Sequence, residues 1–122
     1  MNTINLDGRI VTQLNLRKTK QKGISVLNFR LRHEKKQQKN VLFVDIECWG
    51  TQAEHVAANA EEGSYVVVLG ELRRDVWEKT GENGSAERRS KLKIKAHQIT
   101  IGDPNDPEDQ YQNDGEETNF SF

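Results

Sequence analysis

A chain of 122 residues has room for one hydrophobic core and not for two. With 34% hydrophobic and 30% charged residues and a mean hydropathy of -0.85, part of it is expected not to fold. The formal net charge of -1 conceals a division: all 18 Lys and Arg lie between Arg9 and Lys95 against 12 acids, a net +6 for residues 1–101, whereas residues 102–122 hold 7 acids and no base. A basic body of that kind suits a polyanion, and the acidic segment suits either competition for the same surface or recruitment of something else.

No apolar run approaches the ~18–20 residues that span a bilayer, and the first residues lack a basic-then-apolar leader pattern, so a soluble cytoplasmic protein is expected. Cys48 is the one cysteine. It falls in the inward phase of a strand, where a thiol acts as a small hydrophobe. His33, His55 and His97 are too scattered for a metal-ligand spacing, and no cofactor is expected.

The alternation of Ile4, Leu6 and Ile10 around Gly8 predicts a first strand. A basic stretch and a turn at Gln21-Lys22-Gly23 lead to a second, from about Ile24 to His33, with Leu27, Phe29 and Leu31 inward and Arg30 and Arg32 outward. A polar loop carrying Lys35, Lys36 and Lys39 follows. From Val41 to Trp49 the chain alternates strictly, Leu42, Val44, Ile46 and Cys48 in one phase and Phe43, Asp45, Glu47 and Trp49 in the other. The all-apolar phase takes the core, which leaves Phe43 and Trp49 facing water. Stacked nucleobases would explain two rings on a polar face; a protein contact or cover by a loop would too. Asp45 and Glu47 share that face and would repel a phosphate chain unless Arg30, Arg32 or a lysine pairs with them.

Thr51-Gln52-Ala53-Glu54 has the form of a capping box and predicts a short helix from there to about Glu62-Gly63, small enough to plug one end of a barrel. Tyr65 to Leu72 is a β-branched run that continues towards Trp77 as a fourth strand. Gly81, Asn83, Gly84 and Ser85 mark Lys79–Arg89 as a flexible hairpin loop with Arg88 and Arg89 at its far end. In the fifth strand Lys91, Lys93 and Lys95 alternate with inward Leu92, Ile94 and Ala96, a basic stripe with rungs about 7 Å apart. Residues 103–122, acidic and rich in Asn, Gln and Gly with Phe120 and Phe122 at the tip, read as a disordered tail. Its rings suit docking to an apolar pocket beside a basic group on a partner; a merely solubilising tail is the alternative.

Five strands with one helix between the third and fourth is the order of the OB-fold, an all-β Greek-key barrel whose face and loops bind oligonucleotides. The domain expected is residues 1–102, with 103–122 as the tail. Three stretches sharpen this: Ile4-Asn5-Leu6-Asp7-Gly8-Arg9-Ile10, Asp45-Ile46-Glu47-Cys48-Trp49-Gly50 running into Gln52-Ala53-Glu54, and Gly63-Ser64-Tyr65-Val66-Val67-Val68-Leu69-Gly70-Glu71-Leu72-Arg73. In order and spacing the chain resembles the bacterial-type single-stranded DNA-binding proteins. That resemblance implies base stacking on Phe43, Trp49 and Trp77, a backbone contact from Arg73, a homotetramer, and recruitment of replication and repair enzymes by the tail tip.

The function expected is sequence-independent binding of single-stranded DNA in replication, recombination and repair, without catalysis. Arg30, Arg32, Arg73, Lys91 and Lys93 would line the phosphate path, and Lys35, Lys36, Lys39, Arg88 and Arg89 would close over it from two loops. A primosome-like or RNA-binding OB module and a protein-interaction adaptor are the alternatives.

Overall fold

Strict alternation of apolar and polar side chains needs a sheet with one wet face and one dry one, and this chain closes such a sheet on itself. The computed structural model describes residues 1–35 and 40–102. Its elements are β1 (Ile4–Ile10), β2 (Asn15–Lys18), β3 (Ser25–His33), β4 (Leu42–Trp49), α1 (Gly50–Asn59), β5 (Tyr65–Thr80) and β6 (Ala86–Ile101). The strands lie in the order β1-β5-β6-β4-β3-β2, and a further β1–β3 pairing closes the barrel. All neighbours are antiparallel except β4 and β6, which run parallel at Ile46↔Ile94 and Glu47↔Lys95. This is the expected OB-fold barrel. Among the described residues no helix is long and apolar enough to cross a membrane.

The inward phases of the strands meet in one core. Ile10, Leu27, Leu31, Ile46, Val66, Val68 and Ile94 are all at most 2% exposed, and Ala53 and Val56 of α1 cover them from one end. Phe29 and Cys48 lie inside, as their phases predict. Two glycines allow the close approaches on which closure depends. A Cβ on Gly8 would stand 2.2 Å from the carbonyl oxygen of Arg32, where β1 crosses β3. One on Gly70 would stand 2.3 Å from that of Lys95, at an irregularity where Leu69 pairs with Gln98 but Gly70 with Ala96. The unmatched His97 makes this a bulge, which sharpens the local twist.

Five sequence expectations are corrected. The basic stretch after β1 contains a sixth strand, β2, whose four residues are all exposed; an edge strand with nothing to bury leaves no apolar alternation to read. The helix begins at Gly50, whose φ of 69° turns the chain one residue early, and it ends at Asn59 instead of near Glu62-Gly63. The capping box therefore does not form: no side chain caps the helix, and Glu54 instead accepts a hydrogen bond from Ser25 Oγ at 2.6 Å. Arg88 and Arg89 belong to β6, not to a loop, because the β5–β6 ladder runs out to Thr80↔Ala86 and only Gly81–Ser85 turn. Lastly, Leu92 is 57% exposed. It keeps its phase, but neither β1 nor β4 pairs with the ribbon at that level.

Candidate nucleic-acid interface

Residues directly opposite on neighbouring strands share a face, so register alone assembles the outer surface of the sheet. Between β3 and β4 it places Arg32 opposite Phe43, Arg30 opposite Asp45 and Asn28 opposite Glu47. Between β5 and β6 it places Arg73 opposite Lys93, Asp75 opposite Lys91 and Trp77 opposite Arg89. The ion pairs Lys91–Asp45 (2.5 Å) and Lys93–Glu47 (2.6 Å) join the two sets across β4 and β6. Phe43, Trp49 and Trp77 thus stand on one continuous outer face, and they are 51%, 39% and 45% exposed.

A groove of ≈ 420 Å³ crosses this face. Its floor carries Asp45, Glu47 and Asp75 beside Arg30, Lys91 and Lys93, and its rim includes Thr12, Gln13 and Arg17 from β2 and the segment before it. The acids do not stand uncompensated. Arg30 Nε lies 3.2 Å from Asp45 Oδ1, and Lys93 Nζ reaches Asp75 Oδ2 at 2.9 Å as well as Glu47. Partial burial pushes the Asp45 carboxyl up, but hydrogen bonds from Lys91 and Arg30 and their charges outweigh it and hold the group below its ordinary value. Lys93 moves the other way: burial draws it down, and its bonds to Glu47 and Asp75 prevail and raise it. Burial, with a smaller contribution from the Glu47 charge, pushes the Cys48 thiol up to about 12, so it stays protonated and weakly nucleophilic at neutral pH.

The remaining predicted cations are spread around this centre. Arg32 pairs with Glu34 at 3.1 Å, Arg73 with Glu71 at 3.5 Å and Arg89 with Glu87 at 2.7 Å. Arg88 lies opposite Glu78, on the other face of the ribbon from Trp77, so it is not gathered with the rest. Lys35 is exposed in the loop after β3. Lys36 and Lys39, and the whole of 103–122 with Phe120 and Phe122, lie outside the described residues.

Sequence reasoning missed two contributions. Arg17 flanks the groove from β2, and a second hollow of ≈ 440 Å³ sets Trp49 beside Lys20 and Lys22 of the β2–β3 turn. The run of bases from Arg17 to Lys22 was the available signal. It could not be placed without knowing that β2 pairs with β3 and brings Arg17 opposite Val26, itself opposite Trp49.

The surface is open, ring-bearing and laced with cations, and it offers flat faces and charge to an extended ligand. The chain is 36% identical over 63 residues to a single-stranded DNA-binding protein of Treponema pallidum (strain Nichols), a match that covers 52% of this chain and 33% of that protein. It therefore spans about a third of that relative's length. The Single-strand binding protein family matches residues 1–101, all but the acidic segment, and the chain belongs to that family.

Proposed function

We propose that this chain binds single-stranded DNA independently of sequence and performs no chemistry on it. The observation that carries the reading is the placement of Phe43, Trp49 and Trp77, each more than a third exposed, on the same outer face as a groove bearing Arg30, Lys91 and Lys93. Base–aromatic stacking contributes ~1–3 kcal/mol per base and ignores base identity, because every base has a π-face. Phosphate contacts would come from the groove cations and from Arg17, Lys20, Lys22, Arg32, Arg73 and Arg89.

Titrating the two tryptophans with oligo-dT tests this: emission should be quenched, duplex of equal length should quench far less, and raising salt should weaken binding. Oligo-U in the same series separates DNA from RNA preference. Absence of quenching by any of the three would leave the face to a protein partner.

Three finer elements belong to the same reading. The role in replication, recombination and repair follows from family membership together with sequence-independent binding. Residues 103–122, with 7 acids and Phe120 and Phe122, act as the segment that recruits partner proteins, separate from the binding domain of 1–102. The chain works as a homo-oligomer, a tetramer by its resemblance. Exposed Leu72, Val76 and Leu92 on the ribbon face away from Trp77 support a further contact between copies, which light scattering after gel filtration would register.

A further inference from the structure

Glu47 belongs to the outward phase of β4, yet the residue is only 9% exposed. A carboxylate so far from water must be held by charge or hydrogen bonds, and its two oxygens have different tasks. Oε1 accepts the indole Nε1–H of Trp49 at 2.8 Å, and Oε2 takes Lys93 Nζ at 2.6 Å. Lys93 is itself fixed from a second side by Asp75. The acceptor is therefore anchored across β4, β6 and β5, whereas the ring it grips is 39% exposed.

An indole on a strand turns about two side-chain torsions. A hydrogen bond from its edge to a fixed oxygen two residues away restrains both, and leaves the flat face of the ring presented to a ligand. We propose that Glu47 is a positioning residue for nucleic-acid binding, which presets the plane of Trp49 before a base arrives. This rests on the reading that Trp49 stacks on bases. Its effect is a saving of ordering entropy, worth roughly three- to tenfold in affinity for one immobilised side chain.

Two substitutions at one position separate this role from plain electrostatics. Glu47→Gln and Glu47→Ala both delete the charge, but the glutamine amide oxygen can still accept the indole N–H. In a Trp77→Phe chain, where Trp49 is the one remaining tryptophan, emission anisotropy of the free protein should stay near the parent's in Glu47→Gln and fall in Glu47→Ala, with easier acrylamide quenching. Labelled oligo-dT should bind roughly three- to tenfold more weakly to Glu47→Ala than to Glu47→Gln. A Trp49→Phe chain, which keeps a ring and lacks the donor, covers the case in which Glu47→Ala does not fold: its affinity should fall by a similar factor. Equal anisotropy in the two Glu47 variants, or equal affinity within about twofold, would overturn the proposal. Loss of oligo-dT binding in the parent itself would instead sink the stacking reading, and the anisotropy comparison would still decide whether Glu47 holds the ring.

Discussion

Asp45→Asn should make binding more sensitive to salt, and tighter in dilute salt. The carboxylate holds Arg30 at 3.2 Å and Lys91 at 2.5 Å, so in the free protein it plays the part that a phosphate would play for two cations at once. A strand that takes either cation must first displace Asp45, and correspondingly fewer counterions are released. Each phosphate neutralised on a single strand adds about -0.7 to the slope of log K against log salt. Freeing both cations should therefore steepen the slope by up to ~1.4. Folding should suffer little, since partly exposed pairs of this kind contribute ~0–1 kcal/mol each. The assay is a set of oligo-dT titrations at four or five salt concentrations on parent and variant, with melting curves alongside. An unchanged or shallower slope, with weaker binding throughout, would refute the reasoning: Arg30 and Lys91 would then lie off the phosphate path, or Asp45 would itself contact the strand.

Other outcomes follow from the same geometry. Trp49→Ala and Trp77→Ala should each weaken oligo-dT binding by ~1–3 kcal/mol, measurable as roughly five- to 150-fold in Kd, with little change in melting temperature. Gly8→Ala and Gly70→Ala should each destabilise by ~1–3 kcal/mol or more, since the new Cβ meets a carbonyl oxygen at 2.2 and 2.3 Å; denaturant unfolding measures it, and unaltered midpoints would show that the crossings relax. Cys48, buried and with its thiol pushed up to about 12, should react with a thiol reagent at pH 7 only after unfolding. Asp45, held below its ordinary value near 3.8, stabilises the fold above that pH and ceases to as pH falls through its lowered value. Acid melting should accordingly show a step below about pH 4 that Asp45→Asn diminishes.

The barrel was legible because most of the core positions of its strands alternate with polar ones. Leu27, Phe29 and Leu31, then Ile46 and Cys48, alternate with polar neighbours, and all five are at most 3% exposed. Legibility failed where burial stops. β2 buries nothing, and towards the hairpin end, from Ala86 to Leu92, β6 is exposed on both sides, so Leu92 kept its phase and lost its cover. The capping box failed for a different reason: Gly50 turned the chain early, and Ser25 claimed Glu54. In the interface, the aromatic positions could be read from phase, because exposure follows from alternation. The pairing of Asp45 and Glu47 could be posed as a requirement but not solved, since Lys91 and Lys93 reach them only through the parallel β4–β6 contact, which no local pattern encodes. For the same reason the tie between Glu47 and Trp49 was invisible. Two residues apart on a strand share a face, but only the cover over Glu47 makes the contact matter.

The most direct test of the account is quenching of the Trp49 and Trp77 emission by oligo-dT, set against duplex of equal length at low and high salt. Saturable quenching by the single strand that weakens as salt rises, and much less by the duplex, is expected. Emission unmoved by oligo-dT at low salt, or quenched equally by duplex, would contradict it.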